Sequence, residues 1–444
     1  MDPAIFKAYD IRGTYPDELN EGIAHTIGQA IAAYLRVPQI AVGRDMRLSS
    51  PALAQAVIQG LTDGGADVVE LGLTSTDELY FAVGKFGYSA GVMVSASHNP
   101  GKYNGFKLCR AQAVPISTET GLKDIAALAQ GGALPQPDHK GTVTKRDVLD
   151  AYVDTVLSFI DLAQVKPLKI VVDAGNGMAG LTAPALFKRL PCQLIPLFFE
   201  LDGSFPNHPA SPIEPENMAA LQKAVIEHGA DMGVAFDGDA DRMFIVDEQG
   251  QLVDGSEVTL LVSQNLLRKY PGSPILYNLI ISRTVPEMVQ QAGGHAVRTR
   301  VGHSFIKAIM REQNAVFGGE HSGHFYFRDF WFADSGLIAM LMVLELVSQE
   351  GKSVSTLLRS LDTRVRSGEI NSHVADIPAK LEQLQQRYAD GQIDHLDGIT
   401  VSYPTWWFNV RASNTEPLLR LNVEGDTREL MESKRDELLA LIRS

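Results

Sequence analysis

With 444 residues the chain is longer than one hydrophobic core organises, so about two to four domains are expected. Its 45% hydrophobic and 21% charged residues match a soluble globular protein, and no window of about 20 uninterrupted apolar residues offers a membrane span. A formal net charge of −14 with no basic run argues against nucleic-acid binding, although local cations could still hold an anionic ligand.

Along the chain, short β-rich runs alternate with helical patterns, the signature of layered α/β domains. The N-terminal segment carries the polar cluster Lys7-Ala8-Tyr9-Asp10-Ile11-Arg12-Gly13. Residues 40–43 then read as a strand and 50–64 as a helix with Pro51 in its first turn. Further strands are expected at 68–71 and 91–94, and a surface loop at 131–141. A second cycle runs through a strand at 168–172, a helix near 183–190 and strands at 193–198, 232–236 and 243–246. A third holds a helix at 257–269, a strand at 274–279, a helix from about 284, a strand at 296–298 and an apolar helix at 337–347. From about Gly368 the pattern becomes a small α+β unit: a strand at 370–374, a helix at 378–388, strands around Ile399, Trp406 and Leu421, and a terminal helix at 429–442. The expected division is 1–150, 151–252, 253–366 and 367–444: three similar mixed α/β domains and a smaller α+β domain around one cleft.

Polar clusters recur where strands end, which is where open α/β sheets place ligands. After residues 92–94 comes Ser95-Ala96-Ser97-His98-Asn99-Pro100-Gly101, a tight turn holding a potential nucleophile. A hydrogen-bonded turn explains it as well as chemistry does. In Asp237-Gly238-Asp239-Ala240-Asp241-Arg242 three carboxylates alternate and would repel one another without a cation, so a hard divalent ion, Mg²⁺ above all, is expected. An EF-hand fails here, because Arg242 takes the position that needs glycine and strands flank the loop. Gly318-Gly319-Glu320-His321-Ser322-Gly323-His324 could grip vicinal sugar hydroxyls or be a plain turn. Arg411-Ala412-Ser413-Asn414-Thr415-Glu416-Pro417 suits a phosphate, and equally a hairpin turn. Gly175-Asn176-Gly177-Met178-Ala179-Gly180 imitates a dinucleotide-binding turn. Asp173 stands where a pyrophosphate would approach, and nothing else suits hydride transfer, so that reading is set aside. Cys109 and Cys192 form no framework and read as buried thiols. With no basic-then-apolar leader at Met1-Asp2-Pro3-Ala4, they point to the cytoplasm.

Together these loops, in this order and at these spacings, resemble the α-D-phosphohexomutase superfamily over essentially the whole chain, closest to its bacterial phosphomannomutase/phosphoglucomutase branch. The resemblance implies that Ser97 is a phosphoserine and that Asp237, Asp239 and Asp241 hold Mg²⁺ together with its phosphate. It implies catalytic roles for Lys107, Arg12, His324 and Arg242, with Lys107 and His324 as proton carriers. Tyr9, His303, Glu320, Ser322, Arg411, Ser413, Asn414 and Thr415 are implied to bind substrate. The implied reaction is reversible mannose 6-phosphate to mannose 1-phosphate conversion through a hexose 1,6-bisphosphate, which also serves as activator, with glucose phosphates as further substrates. A phosphoglucosamine mutase and an inactive sugar-phosphate-binding protein are the alternatives. The expected partners are small hexose phosphates, with no nucleic acid or membrane, and the expected state is a monomer or dimer. The pattern is departed from at Ser95, where threonine is usual, at His321, where methionine or glutamine is usual, and at Ile280, which replaces a lysine.

Overall fold

The structure, a computed structural model, describes residues 1–131, 134, 137–413 and 418–444. Part of the loop expected at 131–141 therefore lies outside the described residues. Four sheets follow one another along the chain. The first, in spatial order, is Ile11–Thr14, Tyr103–Arg110, Ala90–Val94, Gln39–Arg44, Asp67–Leu73 and Val143–Lys145, with Val114–Pro115 added beside Tyr103–Arg110. The second is Leu252–Val253, Met243–Asp247, Met232–Phe236, Lys169–Asp173 and Gln193–Leu197, and the third is His295–Thr299, Pro274–Asn278, Phe317–Gly319, Phe325–Phe327 and Ala333–Asp334.

In each of these sheets a buried parallel strand is followed by an antiparallel return. Ala90–Val94 turns into Tyr103–Arg110, Met232–Phe236 into Met243–Asp247, and Phe317–Gly319 into Phe325–Phe327. The turns between them sit at the carboxyl edge of the parallel strands, where α/β sheets collect ligands. The fourth sheet is antiparallel throughout, with the long hairpin Trp406–Ala412 and Leu418–Gly425 at its centre.

Helix starts follow their capping residues. Ser75 and Glu78 form a reciprocal capping box for Thr76–Phe86, Asp254 and Glu257 one for Gly255–Lys269, and Ser335 caps Gly336–Glu350. The helix expected near 183–190 instead spans Ala179–Phe187. Pro184, a residue suited to a first turn, lies inside it, and the start is set by backbone bonds from Gly177 to Ala174 and from Met178 to Gly238. Cys192 departs from the buried-thiol reading: it is half-buried and donates to the Lys166 carbonyl at 3.5 Å.

One continuous core runs through the first three units. It joins Leu79 and Phe81, Val172 and Phe236, and Leu341 and Leu344 of the helix Gly336–Glu350, which is buried on nearly every face. The fourth unit has its own core around Phe408, Leu421 and Leu438. Asp77 pins the shared core. Buried and 0% exposed, it accepts from Ser75, from the Tyr152 hydroxyl at 2.5 Å and from Ser335 Oγ at 2.6 Å, so a single carboxylate ties three segments far apart in sequence. A hydrogen bond to a charged group contributes about 1.5–3 kcal/mol, and without the Tyr152 hydroxyl Asp77 would keep only Ser75 and Ser335. Tyr152→Phe is therefore expected to lower unfolding stability by about that amount, read as an earlier denaturation midpoint. An unchanged midpoint would show that Asp77 does not depend on this donor.

Candidate active site

The serine loop closes the hairpin between Ala90–Val94 and Tyr103–Arg110, and its backbone is bent to turn a buried side chain inward. Ser97 adopts φ of +50°, a left-handed conformation that disfavours a residue with a Cβ. Five hydrogen bonds hold the turn there. The Ser97 N–H donates to Ser95 Oγ at 2.9 Å. Arg47, 0% exposed, donates from Nη2 to the carbonyls of Ser97 (2.7 Å) and Asn99 (2.6 Å), and from Nη1 to those of Pro100 (2.9 Å) and Tyr103 (3.0 Å). Asp45 pairs with Arg47 Nε at 3.2 Å and the Phe205 ring covers the guanidinium, 5.1 Å from its centroid. The forked cation thus wraps the outside of the turn and leaves Ser97 Oγ facing inward.

There it meets the aspartate loop, the turn between Met232–Phe236 and Met243–Asp247. Ser97 Oγ donates to Asp237 Oδ2 at 2.6 Å. The two loops touch so closely that a Cβ on Gly238 would stand 2.5 Å from the Ser97 carbonyl oxygen, so only glycine fits. Asp237, Asp239 and Asp241 are buried, with one oxygen of each lying within 4.8 Å of the others. Lys107, opposite Met93 on the return strand, bridges Asp239 Oδ2 and Asp241 Oδ2 at 2.6 Å each. Thr76 Oγ1 donates to Asp239 Oδ2 at 2.5 Å, and the Arg242 N–H reaches Asp237 Oδ1 at 3.2 Å.

Burial, reinforced by Asp239 and Asp241, drives the Asp237 carboxyl well above the ordinary range, and burial with Asp239 pushes Asp241 up to about 7. Burial acts in the same direction on Asp239, but the Lys107 ammonium outweighs it and holds that group below its ordinary value. Burial alone would discharge Lys107, and the three carboxylates reverse this and keep it protonated. Three carboxylates against Lys107 and Arg242 leave a demand for positive charge. Asp239 Oδ1 and Asp241 Oδ1 are buried with no hydrogen-bond partner among the described residues. Orphaned hard oxygens of this kind fit a divalent cation.

The third turn, between Phe317–Gly319 and Phe325–Phe327, docks on the second through backbone: Arg242 and His324 form a bridge, and the Met243 N–H donates to the Gly323 carbonyl at 3.1 Å. A guanidinium only donates, so the 3.2 Å contact from Arg242 Nε makes His324 Nε2 the acceptor and leaves the proton on Nδ1, 3.0 Å from Ser322 Oγ. Glu320 Oε2 accepts from Tyr326 at 2.5 Å, and its Oε1 accepts from the Gly302 N–H at 3.2 Å and Asn278 at 3.3 Å. These turns border a cleft of about 900 Å³ lined by Tyr9, Arg12, Ser97, Lys107, Arg242 and His324, among others. Arg12 pairs with Asp10 and donates to Asn99 Oδ1 at 2.6 Å. His98 is kept neutral by Arg242 and burial.

Of the remaining sequence-derived candidates, His303 opens the helix His303–Gln313, Arg411 lies near the end of the strand Trp406–Ala412 and Ser413 follows it. Asn414 and Thr415 lie outside the described residues. The sequence reading did not single out Arg47, Thr76, Asn278 or Tyr326. Arg47 had one signal: Arg44-Asp45-Met46-Arg47 follows the end of the strand Gln39–Arg44, next to the strand that feeds the serine turn.

Four sequence profiles of one family match the chain in order. They are phosphoglucomutase/phosphomannomutase α/β/α domains I, II and III, at residues 3–134, 150–250 and 254–364, and the C-terminal domain at 369–441. The chain belongs to the phosphoglucomutase/phosphomannomutase family. It is an α-D-phosphohexomutase, an isomerase of carbohydrate metabolism. It is 45% identical to a protein named "Phosphohexose mutases" from Xanthomonas campestris pv. campestris, over 99% of both chains. It is 44% identical to a phosphomannomutase of Salmonella montevideo, again over 99% of both. A crystal structure of a phosphoglucomutase/phosphomannomutase family protein from Burkholderia thailandensis superposes with a TM-score of 0.91 at 33% identity, covering 99% of this chain and 97% of that one. For such a phosphohexomutase the geometry makes Arg47 a positioning residue. Arg47→Lys keeps the charge and loses the fork. It is expected to lower kcat by about 10–100-fold through misplacement of Ser97 while moving KM little, as steady-state kinetics will read. Equal loss in kcat and gain in KM would point to general unfolding of the cleft instead.

Proposed function

We propose that this phosphohexomutase is a phosphomannomutase that interconverts mannose 6-phosphate and mannose 1-phosphate, accepts glucose phosphates as well, and works through a phosphoryl group carried on Ser97. The observation that supports this most directly is Ser97 Oγ, presented from a left-handed turn 2.6 Å from Asp237 in a buried acidic cluster on one wall of the cleft. Its high similarity to relatives named phosphomannomutase supports the choice of sugar.

In the forward step a free sugar hydroxyl attacks the phosphorus on Ser97. The new sugar O–P bond forms as the Ser97 Oγ–P bond breaks, giving hexose 1,6-bisphosphate, and the departing Ser97 oxygen takes its proton from the Lys107 ammonium to become a hydroxyl. The hydroxyl that takes the place of Arg242 at His324 Nε2 hands its proton to that nitrogen. The charged Lys107 and Arg242 flank the transferring phosphoryl group and offset its negative charge, while Arg12 holds Asn99 of the serine turn. Asp237, Asp239 and Asp241 would hold Mg²⁺, which supplies the positive charge that weakens the bond to Ser97 Oγ. Glu320 and Ser322 orient two sugar hydroxyls, and Arg411 and Ser413 hold the phosphate that does not react, with Tyr9 lining the cleft. The bisphosphate then turns and returns its other phosphoryl group to Ser97. Early escape of that intermediate leaves Ser97 bare, so added hexose 1,6-bisphosphate restores activity. Among the described residues no helix is long and apolar enough to cross a membrane, and with the low cysteine content we place the reaction in the cytoplasm.

Ser97→Ala is expected to remove mutase turnover by at least about 10³-fold and to abolish the phosphopeptide seen by mass spectrometry. Full activity in that variant would rule out the serine carrier. A coupled assay with mannose, glucose and glucosamine 1-phosphates is expected to give the highest kcat/KM with mannose, with activity lost on chelation and restored by Mg²⁺. Preference for glucosamine 1-phosphate would overturn the sugar assignment.

A further inference from the structure

Arg411 sits at the end of the strand Trp406–Ala412 and is 4% exposed, opposite Arg420 in the register of the hairpin. Both guanidiniums converge on one acid that the reaction scheme above does not use. Arg411 Nη2 donates to Glu369 Oε2 at 2.6 Å, and Arg420 Nη1 lies 3.2 Å from Glu369 Oε1. Arg420 Nη2 also reaches Ser413 Oγ at 3.3 Å. Glu369 precedes the strand Ile370–His373, which pairs with Leu418–Gly425, so the acid enters from within the fourth unit. From the third unit His321 Nε2 stands 3.9 Å from Glu369 Oε2. Burial pushes the His321 imidazole down to about 4, so it adds no charge near pH 7. Burial alone would protonate Glu369, but the Arg411 and Arg420 guanidiniums outweigh that and keep it ionised. The Arg411 Nε and Arg420 Nε atoms are buried with no hydrogen-bond partner among the described residues.

Resting on the reading that Arg411 and Ser413 hold the non-reacting phosphate, we infer that Glu369 is a built-in competitor for that grip. Its carboxylate pairs with Arg411 and Arg420 between ligands and weakens their hold on a sugar phosphate. The charge arithmetic is simple. Two guanidiniums and one carboxylate carry net +1, and a phosphate dianion brings the group to −1. Without the carboxylate the same arginines would carry +2 and end at zero. The competitor serves the cycle because one grip must accept first one end of the bisphosphate and then the other, and an overtight hold slows that exchange. It also keeps Arg411 from standing as an unpaired buried cation when the cleft is empty.

Glu369→Gln keeps the shape and removes the charge. Inorganic phosphate, measured by calorimetry, is expected to bind the variant about tenfold more tightly. KM for mannose 1-phosphate falls with it, kcat falls because turnover of the bisphosphate slows, and less added hexose 1,6-bisphosphate is needed for full activity. If Glu369 instead only orients Arg411, the signs reverse: phosphate binds more weakly and KM rises. Unchanged or weaker phosphate binding overturns the inference. Arg411→Ala is the control for the underlying reading: if it leaves phosphate affinity intact, the grip is elsewhere and that reading fails first. Should the glutamine variant not fold, Glu369→Asp draws the charge back by one methylene and is expected to tighten phosphate binding as well, with no change again overturning the inference.

Discussion

Three carboxylates at alternate positions of one buried turn cannot be stable on their own, and the architecture of the first three units answers that constraint. Asp237, Asp239 and Asp241 are at most 1% exposed. Their nearest counter-charges are Lys107, delivered by a strand of another sheet, and Arg242, whose guanidinium is shared with His324 of a third. The cluster therefore forms only when three sheets are assembled, and the same charges that make it costly alone make it specific once complete. Thr76 adds a further link. Its hydroxyl and its N–H both bond Asp239, so the helix Thr76–Phe86 begins on the acidic turn at one end and is tied through Asp77 to Tyr152 and Ser335 beside it.

What could be read in advance follows the kind of bond each residue makes. Serine, aspartate, glutamate and arginine on turns became conspicuous by their joint order along the chain, since each such turn alone could pass for an ordinary one. The alternation of strands and helices was legible through its apolar period. Arg47 left only its place after a strand end as a signal, because its partners are four backbone carbonyls and no side-chain pattern advertises those. Glu369 lies far in sequence from Arg411 and meets it only through pairing of the strands Ile370–His373 and Leu418–Gly425. The false dinucleotide signature has a physical explanation in packing. Side chains at Gly177 and Gly180 would stand 2.7 Å from the Gly238 carbonyl oxygen and 2.3 Å from that of Phe199. Asp173 faces His208 at 3.1 Å, so these glycines let backbone meet backbone under the aspartate turn.

The same local plan, a buried strand, a polar turn and an antiparallel return, appears in three successive sheets with three different residue sets. Function is thus written in the turns and the sheets supply placement. Strand register decides which side chains reach the cleft: Lys107 lies opposite Met93, and Gly319 opposite Phe325, so each turn opens toward its neighbours at a fixed height.

Stiffness is distributed unevenly across this assembly. The first three units share one apolar core, and the aspartate turn is joined by backbone hydrogen bonds to the turn holding Gly323 and His324, so the parts that surround Ser97 behave as one block. The fourth unit folds around a separate core and meets the third largely through long side chains. Arg283 donates to the carbonyls of Tyr403 (2.9 Å) and Trp406 (2.7 Å), Arg298 pairs with Asp394 at 3.0 Å, and Arg364 pairs with Asp426 at 3.5 Å. Contacts of that kind are exchangeable with water and individually weak, whereas a shared core is not. The rigid side of the cleft is the one that must place a reacting oxygen to within a fraction of an ångström. The unit joined by arginines is the one that carries Arg411, to which the proposed cycle assigns a ligand that is taken, released and taken again.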